Sequence, residues 1–281
     1  MKLLFTGKGG STGSWVVRGV QLGQAIGATV KPLATADDLL GADLAIVVKR
    51  TPEPVLRALR ESGTRWVYDI VDCYPQPESA AWGRAEAISW VQGRLRDLKP
   101  NAVIWPNATM RSDCDTGLPG MVLPHHCRPG IARNAVREQI RTVGYEGRPS
   151  YLAQWEPLLH AECTRRGWRF VVNPPALADV DVVVAFRGGA WDGYASRRWK
   201  SAIKMTNAHG SGTPFVGARE NGYLEMASGA EYWADSAKEL ATSFDWLESQ
   251  SAREQVSDRF VQAAYTVDAA AKDLRAFLET L

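Results

Sequence analysis

Cysteine is scarce in this chain: four in 281 residues, Cys73, Cys114, Cys127 and Cys163. They are scattered and none forms a CxxC pair, so neither a zinc cluster nor a disulfide framework is expected, and reduced thiols are. Charge of one sign is also missing. The formal net charge is +2, so no basic stripe announces nucleic acid, although a local basic groove is compatible with that total. No run approaches the roughly 18 consecutive apolar residues of a membrane span, and the N-terminus carries no long apolar leader. A cytoplasmic protein without a membrane-spanning segment is expected. His160 and His209 have no partners at ligand spacing, so no metal site is expected either.

Two phosphate-binding signatures are missing from the glycine-rich start, MKLLFTGKGGSTGSW. In a Walker A register ending on Gly13, the first glycine falls on Lys8 and the lysine on Ser14, so the group that reaches the β- and γ-phosphates is absent. A dinucleotide fingerprint fails because Gly7 and Gly9 are followed by Thr12 where a third glycine belongs. Two readings of the loop remain. It is a strand-to-helix turn that needs positive φ angles, or its backbone N–H groups, Gly10 and Ser11 among them, face an anionic or sugar ligand from the start of a helix over 14–27 capped by Ser14.

What is present is an ordinary globular composition, 45% hydrophobic and 23% charged, with alternating strand and helix patterns. Candidate strands are 2–6, 44–49, 66–71, 102–106 and 121–124, separated by helical stretches over 14–27, 54–63 and 78–98. The runs are apolar without clean alternation, as in a parallel sheet covered on both faces. The pattern then restarts: strands 142–147, 169–173, 181–186, 214–217 and 230–234, with helices over 150–166 and 197–211 and a helical tail from Ser236. Between the halves lies HHCRPGIARNAV, which lacks periodicity. The expected fold class is α/β, two doubly wound Rossmann-like domains, 1–132 and 133–281, facing across a cleft. An apolar stripe through Phe260, Val267, Ala271 and Leu274 marks a tail expected to pack back across the junction.

The segment 185–227 carries the densest chemistry. Arg187 ends a hydrophobic strand, where ligands of open α/β sheets bind. Lys200 and Lys204 stand four apart and share a face if the segment is helical. Tyr223 and Glu225 follow a glycine-containing turn. Cations with a carboxylate at one strand edge suit a nucleoside diphosphate, the cations on the pyrophosphate and the carboxylate on ribose hydroxyls. Solvent-exposed lysine and arginine are the ordinary alternative. In the first half, Asp69 and Asp72 end a strand toward the same cleft edge, where either could deprotonate an acceptor hydroxyl or cap the turn before Pro75 and Pro77. His125 and His126 stand where the first half meets the linker, as a base, a phosphate contact or packing residues.

Lys200, Lys204, Asn207, Ala208, Gly212, Pro214, Tyr223 and Glu225 together resemble the donor half of GT-B glycosyltransferases, which often carry KPxxKLxNAxAxGxP and then an acidic residue. Gly144 to Gly147 resembles the GYxG that opens the second domain of that fold, and Val122 to His126 the end of the first. Ser201 replaces the usual proline, and Glu220 and Glu225 stand five apart instead of the eight of many retaining members. The resemblance implies a glycosyltransferase that moves a sugar from a nucleotide-sugar donor to an acceptor hydroxyl. Donor contacts would come from Gly10, Ser11, Arg187, Lys200, Lys204, Tyr223 and Glu225, and acid–base chemistry from Asp72 and His126. No cofactor beyond the donor and no metal are implied. The acceptor stays open among a saccharide, a small molecule and a nucleic-acid base. A nucleotide-sugar epimerase of the same fold, or a non-catalytic nucleotide-sugar-binding module, are the alternatives.

Overall fold

The computed structural model describes residues 1–11, 13–72 and 81–281. Pro75, Pro77 and the first turn of the expected helix 78–98 lie outside these residues.

Two parallel sheets organise the chain. The first has six strands in the order β2-β1-β3-β4-β5-β6: β1 (Leu3–Gly7), β2 (Thr29–Val30), β3 (Leu44–Val48), β4 (Trp66–Asp69), β5 (Ala102–Trp105) and β6 (Gly120–Val122). The second has five, ordered β11-β10-β9-β7-β8: β7 (Thr142–Tyr145), β8 (Arg169–Val172), β9 (Val182–Ala185), β10 (Phe215–Gly217) and β11 (Tyr232–Trp233). Every pairing is parallel, so each needs a crossover, and helices cover both faces of each sheet. Both are Rossmann-like.

The apolar strand runs divide between two cores by their period of two. From β3, Ala45 and Val47 meet Val55, Leu59, Val91 and Leu95 on one face, while Ile46 and Val48 meet Trp15, Leu22 and the last helix on the other. That last helix, Val267–Leu278, therefore belongs physically to the first sheet: Ala270, Ala271, Leu274 and Leu278 are buried against it. Helix Gln250–Ala263 instead buries Val256 and Phe260 against the second sheet. The tail is thus broken between them, and Thr266 restarts it by accepting a hydrogen bond from the Ala269 N–H at 3.2 Å. It crosses beside the linker, whose Cys127 N–H donates to the Tyr265 carbonyl at 2.8 Å.

Three local expectations are corrected. Ser14 makes no capping bond and is already helical; the segment that follows, Trp15–Gln21, winds as a π-helix before one α-turn, Leu22–Ala25. The stretch 197–211 is two helices, Tyr194–Trp199 and Ile203–Ser211, because Lys200 is extended (ψ 146°). Its carbonyl and that of Arg198 accept from the side-chain amide of Asn107 in the first domain, at 3.3 and 2.9 Å. Helix Ala108–Cys114, which Asn107 caps, was not signalled by periodicity; seven residues are too few to display it.

Candidate functional site

The carboxyl ends of the two parallel sheets face each other, the place where open α/β sheets bind ligands. After β1 the chain enters the glycine loop. Gly7 must lie against β3, since a Cβ there would meet the Val48 carbonyl oxygen at 2.9 Å, and Gly9 and Gly13 take φ of +78° and +61°. After β3 comes Lys49, and after β4 come Val71 and Asp72. Lys49 and Val71 are held at φ of +56° and +70°, a region costly for side chains with a Cβ. From the second domain, Glu146 follows β7, Arg187 follows β9, and Lys204 lies in the first turn of helix Ile203–Ser211. Together these bound a cleft of about 690 Å³.

The cleft is cationic on both sides. Ser11, Gly13 and Lys49 line it from the first domain, and Arg187, Lys200 and Lys204 from the second. Gly10 lines an adjoining groove with Lys8, Arg50 and Arg148. Each cation has a different electrostatic setting. Arg187 forms a buried ion pair with Glu220; burial opposes its charge, but that carboxylate outweighs the cost and raises its pKa. Lys200 donates to Asp72 at 3.1 Å, and Lys49 pairs with the other oxygen of the same carboxylate. Burial would raise the Asp72 pKa, but Lys200 and Lys49 overcome it and hold the carboxyl well below the usual range. Lys204 is 8% exposed and forms no ion pair among the described residues. Its ammonium sits 4.5 Å from the Tyr145 ring centroid and 3.2 Å from that hydroxyl. Burial first, and Arg187 next, push its pKa well down.

Among the described residues, Glu146 is the other carboxylate lining the cleft. It pairs with Arg128 and accepts from the Asn207 amide at 3.0 Å, and Asn207 in turn accepts the Arg128 N–H at 2.9 Å. The motif asparagine thus secures the linker to the cleft wall.

Not all the expected residues converge. Glu225 does not line the cleft. Its carboxylate accepts from the N–H groups of Ala108 and Thr109 at 2.5 and 2.9 Å, so it caps helix Ala108–Cys114 of the opposite domain. The physical reason is the exposed, positive start of that helix, which attracts a carboxylate. Tyr223 is buried behind the Arg187–Glu220 pair, and burial raises its phenol pKa. His126 is fully buried, with ring nitrogens 2.8 and 3.1 Å from the main-chain oxygens of Cys127 and Val17, and burial lowers its pKa. Main-chain oxygens wall off both nitrogens and His126 does not line the cleft, which is the placement of a packing residue. His125 is buried too. Arg18, on the π-helix, is buried with Asp69 at 3.4 Å and donates to the Leu123 carbonyl, which anchors the loop and the chain before the linker. That pairing removes Asp69 from the cleft. The residues that sequence reasoning missed are Lys49 and Glu146 as cleft groups. The signal for Lys49 existed: it ends an apolar strand, the same criterion that selected Arg187.

No family model matches the sequence, and no curated protein is detectably similar to it. Solved structures are similar in fold. HepE of Anabaena in complex with UDP and glucose is 12% identical, with all of both chains covered and a TM-score of 0.67. AviGT4, a glycosyltransferase involved in avilamycin A biosynthesis, is 14% identical, with 100% of this chain and 98% of that one covered and a TM-score of 0.60. The UDP-GlcNAc 2-epimerase from Neisseria meningitidis, bound to UDP-GlcNAc, is 9% identical over all of both chains at a TM-score of 0.58. The fold is GT-B.

Proposed function

We propose that the protein is a glycosyltransferase that binds the diphosphate of a nucleotide-sugar donor in the interdomain cleft and passes the sugar to an acceptor hydroxyl. One observation carries this reading. Lys204 is buried, cationic when protonated and without an ion-pair partner among the described residues, on the wall of a cleft that also holds Arg187, Lys200 and Lys49. Burying such a charge is costly unless an anion arrives to meet it. A diphosphate has the charge and the oxygens for several cations at once. The complexes of HepE with UDP and with UDP-glucose support the same class of ligand.

Lys204 and Lys200 stabilise the leaving diphosphate in this reading, and Arg187 supports them from its pair with Glu220. Glu146 takes the hydroxyl-accepting role first expected of Glu225. Side chains carry the charge neutralisation, so chelating divalent metal leaves turnover unchanged. The acceptor stays open among a saccharide, a small molecule and a nucleic-acid base.

The test is a donor panel. UDP-, GDP-, ADP- and TDP-sugars are added to the protein and read by thermal shift, since a ligand of the native state raises Tm. The donor that binds is then incubated alone and with acceptors. Glycosyl transfer, with slow donor hydrolysis when no acceptor is present, is expected. Isomerised donor would identify an epimerase, a reading that the similarity to the Neisseria enzyme favours. Binding without either reaction would identify a non-catalytic module.

A further inference from the structure

Asp72 holds an unusual position. Its two carboxylate oxygens are each engaged by a lysine, Lys49 from its own domain and Lys200 from the other, and all three residues line the cleft with Lys204. Strained backbone adjoins the triad. Lys49 itself has φ of +56°, and Val71, the β-branched residue directly before Asp72, has φ of +70°. Such conformations persist only where the surroundings enforce them, and they concentrate at functional sites. The bridge also joins the two domains ionically inside the cleft, and the Asn107 amide bonded to the Lys200 carbonyl helps fix that lysine.

We propose that Lys49 and Lys200 form a diphosphate clamp across the two domains, that the donor's phosphate oxygens displace the Asp72 carboxylate that bridges these lysines, and that this displacement frees Asp72 to serve as the base for the acceptor. The proposal rests on the donor-site reading above. A carboxylate that accepts from one ammonium group and is ion-paired with a second is a poor base, because its negative charge is satisfied. The donor brings phosphate oxygens that compete for the same ammonium groups. Once they move to phosphate, Asp72 has lost the partners that suppressed its basicity. The acceptor O–H proton then passes to an Asp72 oxygen as the acceptor oxygen bonds to the anomeric carbon. The bond from that carbon to the diphosphate oxygen breaks, and its electron pair leaves on the diphosphate, where Lys49 and Lys200 hold the charge. Donor therefore binds before the acceptor can be activated.

The exchange makes a counter-intuitive prediction, because removing an acidic residue from a binding cleft tightens it. Titration calorimetry with inorganic pyrophosphate and with UDP should show Asp72→Asn binding each about tenfold tighter than wild type or more, the effect of one released charge-assisted contact. Lys49→Met and Lys200→Met should each bind about tenfold weaker. In turnover, Asp72→Asn should lower donor KM and kcat together, a split that a merely structural role would not produce. A folded Asp72→Asn variant that binds pyrophosphate no tighter than wild type overturns the clamp. If that variant does not fold, the lysine variants decide, and unchanged binding in both overturns it equally. Lys204→Met separates this idea from the one beneath it. Loss of pyrophosphate binding there, with no tightening in Asp72→Asn, keeps the donor site and discards the exchange. A wild-type protein that binds neither pyrophosphate nor UDP discards both.

Discussion

Lys204 shows how one side chain links stability to ligand. Burial and the neighbouring Arg187 depress its pKa, so folding bears the cost of keeping it there. A diphosphate reverses the balance and raises the pKa toward or above the ordinary lysine value of about 10.4. Binding should therefore take up protons at any pH between the two values, and affinity should fall as pH rises through the bound-state pKa. Calorimetry in two buffers of different ionisation enthalpy reads that uptake directly; a heat independent of buffer would show that Lys204 does not titrate on binding. Lys204→Met should melt higher than wild type and lose roughly 1.5–3 kcal/mol of donor binding. Gly222 acts on the neighbouring lysine by having no side chain at all. A Cβ there would stand 2.0 Å from the Lys200 carbonyl oxygen, a backbone atom that cannot swing aside. Gly222→Ala should cost about 1–3 kcal/mol in chemical denaturation. It should also weaken pyrophosphate binding by displacing Lys200, and unaltered binding would mean that Lys200 is not a contact.

At the scale of elements, the short helices set how the two domains meet. Helix Ala108–Cys114 of the first domain presents its N-terminus to helix Asn221–Leu224 and Glu225 of the second. Asn221 donates to the Thr109 hydroxyl at 3.0 Å, and Glu225 accepts two of the helix's N–H groups. A carboxylate at a helix start is favourable both as a hydrogen-bond acceptor and against the helix dipole. Glu225→Gln keeps the shape and removes the charge. It should lower stability by about 1 kcal/mol and leave UDP affinity nearly unchanged. A large loss of UDP affinity at unchanged stability would instead place Glu225 on the ribose. The Trp15–Gln21 π-helix has a comparable positional role, since it sends Arg18 inward to Asp69 while Val17 and Gln21 face the cleft.

For the whole molecule, the chain crosses between the sheets twice, once through the linker and once through the tail. The second crossing seals one face of the first sheet with a helix from the far end of the sequence. Leu274 is fully buried there, in one cluster with Phe5, Ile46 and Ile104. Leu274→Ala should destabilise the protein by about 2–4 kcal/mol, the usual cost of such a cavity. Limited proteolysis should show the first half becoming sensitive before the second. Cleavage beginning in the second sheet would argue against this assignment of the tail.

The α/β class, the doubly wound halves and most strand positions were legible in the sequence, because buried parallel strands impose a continuous apolar run wherever they occur. The strand-end rule likewise placed Arg187, and the spacing before Pro214 marked Lys200 and Lys204, all three of which reach the cleft. What the sequence could not decide is partnership. Glu225 is an acidic residue in a suitable motif, but the opposite helix start claims its carboxylate through contacts 116 and 117 residues apart. His126 is a histidine at a domain edge, but main-chain oxygens close around both its nitrogens. Asp72 was legible as a strand-end carboxylate, while the two lysines that hold it lie 23 residues before it and 128 after. Local propensity and periodicity act over a few residues, so they locate elements. Charges and hydrogen bonds act through space, so only the packing of two separate sheets determines which side chains share a partner and which remain open to a ligand.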